Sequence, residues 1–110
     1  MRDVVIVDSV RTGLTKAFRG SFNLTRSDDM LAHCIDSLLD RNPNLSPEEV
    51  EDVVVGAATH AGEQDGNLAR LAVVLSKLPI TVAGVSINRF CSSGLQAIAI
   101  AANQIASGQT

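Results

Sequence analysis

Residues 81–94 read Thr-Val-Ala-Gly-Val-Ser-Ile-Asn-Arg-Phe-Cys-Ser-Ser-Gly, and residues 92–107 contain no charged side chain. The apolar, β-branched part, Thr81–Ile87, predicts a strand. The segment beyond Cys91 predicts a helix that ends at Gly108, a terminator just past a helix end. Working back along the chain, Pro79 closes a helix over about 67–77, with Leu68, Leu71, Ala72 and Leu75 on one side. Val53-Val54-Val55 predicts a second buried strand, followed by a polar, Gly-containing loop from Gly56 to Gly66. Ser46-Pro47-Glu48-Glu49 is a capping box with Pro at the first helical position, opening a short helix.

The amino-terminal part follows the same alternation. Leu31, Ile35, Leu38 and Leu39 share one face of an amphipathic helix over roughly 28–41, which Thr25 or Ser27 can cap. Asn42-Pro43-Asn44 breaks it. Arg11 to Thr25 reads as a long loop. Asp3–Ser9 contains Val-Val-Ile-Val on consecutive positions, the pattern of a strand buried on both faces. The order is therefore βαβαβα with one extra short helix, an α/β arrangement with a parallel sheet. All of it, residues 1–110, reads as one domain.

The last helix departs from the surface norm. Leu95, Ile98, Ala99, Ala101, Ala102, Ile105 and Ala106 cover more than half its circumference, and no Lys, Glu or Arg solvates the rest. Such a helix is expected to be covered on several sides. A domain of this size has little left to cover it with. The sequence reads as built to pack against something beyond itself.

Composition excludes several classes. Aromatics are 3% with no Trp or Tyr, and the net charge is −3, so neither base stacking nor a basic footprint points to nucleic acid. The nine Lys and Arg residues are spread along the chain and form no basic block. No apolar run approaches the roughly 18 residues of a membrane span. Only four apolar residues follow Arg2 and Asp3, so no signal peptide is read and the cytoplasm is the expected compartment. Cys34 and Cys91 read as free thiols.

Cys91 falls where a buried strand meets a helix start. Unpaired N–H groups and the helix dipole at such a place favour a thiolate, and they can stabilise the oxygen formed when it attacks a carbonyl. Small residues after it, Ser92-Ser93-Gly94, let a substrate approach. Free Cys usually just packs, and position alone leaves packing and catalysis both open at Cys91. Cys34 borders an apolar stripe and reads as packing. His60 beside Glu63 and Asp65 is a weak metal motif, better read as a solvated loop, and no metal site is expected. His33 is expected to face water or a partner, and Arg70 and Arg89 to make surface pairs or subunit contacts. No Gly-rich nucleotide loop is present.

The stretch Asn88-Arg89-Phe90-Cys91-Ser92-Ser93-Gly94-Leu95-Gln96-Ala97 resembles the acyl-enzyme signature of the thiolase family, N-x-x-C-x-S-G-x-x-A, at every fixed position. Val4-Val5-Ile6-Val7 through Arg11-Thr12-Gly13 is similar to that family's first strand and Arg-Thr loop, with Gly13 where many members have Pro. Gly66-Asn67-Leu68-Ala69-Arg70 is similar to the stretch opening its second helix. The resemblance implies a thiolase-like fold, with this chain as a partial amino-terminal half of a five-layer αβαβα arrangement. The uncharged helix would then be one of the central pair between two sheets.

The resemblance also implies an activity. Thiolases cleave 3-ketoacyl-CoA with coenzyme A, or condense two acyl-CoA molecules, through an acyl thioester that would form on Cys91. Its backbone N–H would be half of an oxyanion hole. No bound cofactor is implied; coenzyme A thioesters are substrates. The family's catalytic His, Asn and second Cys, and its coenzyme-A-binding region, would lie beyond residue 110, so the 110 residues alone are expected to be inactive. A homodimer or tetramer is implied for the full-length protein. Two rivals stand beside this reading. A decarboxylating ketoacyl synthase would tend to carry Thr-Ala-Cys-Ser-Ser-Ser at the nucleophile. A non-catalytic interaction module would use the same fold as a docking surface.

Overall fold

The three valines at 53–55 do form a strand, and it defines the centre of the molecule. The computed structural model describes residues 1–110. Its elements are helix α1 (Ser27–Arg41), strand β1 (Asp52–Gly56), helix α2 (Leu68–Leu75), strand β2 (Ala83–Ile87) and helix α3 (Ser93–Ala106). Short 3-10 turns at Pro47–Glu49, Gly62–Gln64 and Phe90–Ser92 join them. The strands β1 and β2 pair in parallel, with Val54 opposite Val85 and Gly56 opposite Ile87. A parallel pair needs a crossover, and α2 supplies it.

Alternation along the strands sorts the layers. Val53, on β1, turns toward α1 and α2 and packs with Ile35, Leu39 and Val50 around the buried trio Val73, Leu78 and Val82. The opposite face of β1 meets α3, where Ala97 is buried. Two glycines allow the close approaches. A Cβ on Gly84 would lie 2.7 Å from the backbone nitrogen of Arg70, so α2 can press directly on β2. A Cβ on Gly56 would collide with the carbonyl of Ser93 and stand 2.6 Å from the nitrogen of Gly94, so the start of α3 rests on the end of β1.

Three local expectations change. The first concerns Asp3–Ser9. It is not a strand, so the observed order is αβαβα and not βαβαβα. Val5, Ile6 and Val7 are more than 70% exposed, and no neighbouring strand offers this run a ladder. A β-strand exists only through its partners, and β1 and β2 pair with each other alone. The segment is instead tied at its ends. Arg2 donates to the carbonyls of Ala106 and Thr110, and Asp8 accepts from Arg41 (2.8 Å) and Asn42 (3.0 Å).

The second concerns the cap of α1. Neither Thr25 nor Ser27 caps it; the N-cap position is Arg26, whose side chain makes no capping bond and pairs with Asp28 instead. The Ser27 N–H donates to Glu63 Oε1 at 2.6 Å, across 36 residues of sequence. The third concerns helix α2, which is shorter than the periodicity suggested, ending at Leu75. The capping box expected at Ser46 is present and opens a short helical turn. Glu49 accepts the Ser46 N–H at 3.0 Å, and the turn is a single 3-10 turn.

Candidate active site at the strand-to-helix turn

After Ile87 the chain leaves the sheet, makes the 3-10 turn Phe90–Ser92 and enters α3 at Ser93. Cys91 is in that turn, two residues before the helix, and is exposed. The expectation of a helix starting near Cys91 holds to that margin.

Phe90 has φ +46°, in the left-handed region that non-glycine residues seldom occupy. Both its peptide groups are held. Its N–H donates to Asn88 Oδ1 at 2.8 Å, an Asx turn. Its carbonyl accepts from Ser93 Oγ at 2.6 Å and from the Ser93 N–H. The same Ser93 hydroxyl accepts the Arg89 N–H at 2.9 Å. Ser93 is 3% exposed, so these bonds are shielded from water. Asn88 Nδ2 donates to the carbonyl of Ala58 at 3.2 Å and anchors the turn to the loop after β1. The ladder runs on beside it, with the Ala57 N–H donating to Ile87 at 3.1 Å.

Arg89 makes no ion pair within the chain. Its Nη1 donates to Gln96 Oε1 at 2.8 Å, fastening the turn to α3. Arg70 is likewise structural: Nη1 donates to the carbonyls of Ile80 (2.8 Å) and Val82 (2.7 Å). Within the chain it therefore bonds to backbone carbonyls and not to an acidic surface partner. Asn67 caps α2 by accepting the Arg70 N–H at 3.1 Å, and it donates to the carbonyl of Gly84 at 2.9 Å.

The loop acids and histidines separate. His60 Nε2 is 2.8 Å from the carbonyl of Ala57. Glu63 caps α1, which is more than the solvated role read from sequence, and the Ser27 N–H holds its carboxyl below the usual range. No group of three or more His, Cys, Asp or Glu side chains comes together. His33 is exposed on α1, and Cys34 is half-buried there. A cavity of about 820 Å³ lies between the amino-terminal segment, α1 and β1, lined by Ile6, Val7, Ile35, Leu39 and Val53 among others. Cys91 does not line it.

The motif pointed to Cys91. The pins on either side of Phe90, and the Gly56 contact beneath them, escaped the sequence reading. Asn88 two residues before Phe90 was the one available cue, as an Asx-turn former.

A family profile described as "Thiolase, N-terminal domain" matches residues 4–110. The 3-ketoacyl-CoA thiolase of Pseudoalteromonas atlantica (strain T6c) is 40% identical over 109 residues, covering 99% of this chain and 28% of that protein. The 3-ketoacyl-CoA thiolase of Aeromonas salmonicida (strain A449) is 43% identical over 108 residues, covering 98% of this chain and 28% of that protein. That of Colwellia psychrerythraea (strain 34H) is 41% identical over 109 residues. The chain thus spans about 28% of the length of the curated relatives it matches.

Proposed function

The chain belongs to the thiolase family, and from that premise we propose that it forms part of an acyltransferase in which Cys91 carries the acyl group. The observation that supports this most is an exposed sulfur on a strained, hydrogen-bonded turn between a strand and a helix. The Cys91 sulfur attacks the keto carbonyl of a 3-ketoacyl-CoA. The bond between the keto carbon and its neighbour breaks, the acyl group stays on sulfur, and the departing carbon takes a proton to leave as acetyl-CoA. The sulfur of a second coenzyme A then attacks the thioester, giving a shortened acyl-CoA and returning Cys91. The reverse sequence condenses two acyl-CoA molecules. N–H groups at the start of α3, that of Cys91 included, suit an oxyanion. We assign His33 and His60 no part in proton transfer. We place the proton-transferring groups, and the pocket for coenzyme A, in the portion of the relatives that this chain does not span. Turnover is therefore expected of a protein of the relatives' full length and not of these 110 residues alone.

The substrates are then acyl-CoA and coenzyme A, with no resident cofactor, and the working form is a homo-oligomer, a dimer or tetramer. No helix is long and apolar enough to cross a membrane. Two free thiols suit a reducing compartment, and we read it as the cytoplasm. The test is an acyl trap. A protein carrying this domain at the relatives' full length is quenched with a 3-ketoacyl-CoA and digested. An acyl group is expected on the peptide containing Cys91 and nowhere else, and Cys91→Ala should abolish both the adduct and turnover. Turnover persisting in Cys91→Ala rules the assignment out.

A non-catalytic assembly module is the second reading, favoured by α3, which leaves Leu95 73% and Ile98 57% exposed. It requires Cys91 and Cys34 to react equally slowly with a thiolate-selective alkylator.

A further inference from the structure

We infer that Asn88 and Ser93 are positioning residues that act through Phe90, locking it in the left-handed conformation and so fixing the direction in which Cys91 leaves the turn. The inference rests on reading Cys91 as the acyl-accepting residue, and it adds a device that the reading does not require. The carbonyl carbon of Phe90 is bonded to the nitrogen of Cys91, so the torsions of Phe90 set where the Cys91 Cβ points. Left alone, a phenylalanine would leave φ +46° for the right-handed or extended regions. Three hydrogen bonds oppose that return, at 2.8 Å from the Phe90 N–H to Asn88 and, to the Phe90 carbonyl, from the Ser93 hydroxyl at 2.6 Å and the Ser93 N–H. Each pin is itself anchored. Asn88 holds the Ala58 carbonyl, and Ser93 is buried where Gly56 leaves room for it. The turn is thus clamped to the end of β1 and to the loop that follows it, although Cys91 itself makes none of these side-chain bonds.

The experiment uses isotope-labelled full chain and reads two quantities. One is the backbone coupling and chemical shift of residue 90, which separate left-handed from right-handed backbone. The other is the rate of Cys91 alkylation by iodoacetamide relative to Cys34. In Asn88→Ala and Ser93→Ala the ratio of left-handed to other backbone conformers at Phe90 is expected to fall by about tenfold, with the relative Cys91 rate changing as that ratio falls. Adding Phe90→Gly to Asn88→Ala should restore both, because glycine takes either hand without cost. Asn88→Asp keeps the acceptor for the Phe90 N–H and should retain the wild-type coupling. A folded Asn88→Ala variant with the Phe90 conformer ratio unchanged overturns the inference, as does a folded double variant in which the Cys91 rate is not restored. If the alanine variants do not fold, Asn88→Asp decides, and a right-handed Phe90 there overturns it. Loss of the function reading looks different: no acyl adduct forms on Cys91 at full length while residue 90 still responds to Asn88 and Ser93.

Discussion

Phe90 is a large aromatic in a conformation that glycine usually fills, and nothing in its own chemistry announces it. The signature around Cys91 made the sulfur legible as a candidate, but the torsion beneath it depends on where Asn88 and Ser93 end up in space. Glu63 shows the same limit. Its partner, the Ser27 N–H, is 36 positions away, so local spacing gave no hint that the loop acid would cap α1. The carboxylates have a common consequence. Asp8 is held below its ordinary value chiefly by Asn42, Asp28 by Arg26, Glu48 by the Ser46 hydroxyl and Glu63 by the Ser27 N–H. Each is lowered in the folded state, so each favours folding above the unfolded values of about 3.9 for Asp and 4.3 for Glu. That contribution disappears as pH falls from there through the lowered folded values. Thermal melts should give a Tm insensitive to these groups above about pH 5 and declining below about pH 4, and Asn42→Ala and Arg26→Ala should make the decline shallower.

Among the elements, periodicity was informative wherever an element finds its partners within the chain. Val53–Val55 lies within β1, Thr81–Ile87 contains β2, and the amphipathic stripe of α1 lies within a residue of its observed start. Asp3–Ser9 has an equally clear strand pattern and forms none, because apolar composition cannot supply a ladder. The exit from β2 was placed well, but its 3-10 turn was not separable from the helix by composition. Packing between elements makes a sharper prediction at Gly84. Gly84→Ala brings a methyl group within 3.0 Å of the Ala69 carbonyl carbon and 2.7 Å of the Arg70 nitrogen, backbone atoms that cannot rotate away. The helix α2 must lift from β2, with an expected loss of about 1–3 kcal/mol. Chemical denaturation measures it, and a midpoint equal to wild type would contradict the close packing described.

For the molecule as a whole, ten of 110 residues are buried, which leaves much of the apolar sequence outside the core. The expectation that α3 lacks sufficient cover is met: within these residues it buries only Ser93 and Ala97. The radius of gyration is 14.3 Å, against about 13 Å for a compact chain of this length. The exposed side of α3 therefore contributes little to the chain's own stability. Leu95→Lys should change the unfolding free energy of the 110-residue chain by less than about 0.5 kcal/mol, while Ala97→Leu, at a buried position against β1, should cost about 1–3 kcal/mol. Comparable losses for both would mean that Leu95 is covered after all.

The amino-terminal run ends at two moorings, Arg2 on the last turn of α3 and Asp8 on the last turn of α1, with Val4–Val7 slung between them. A protease needs an extended, reachable backbone, and this stretch offers one without any helix having to melt. Brief digestion with a broad-specificity protease should nick within residues 4–7 before it touches α1, α2 or α3. The clipped product should keep its helical circular dichroism, since the severed span contributes no ladder to the sheet.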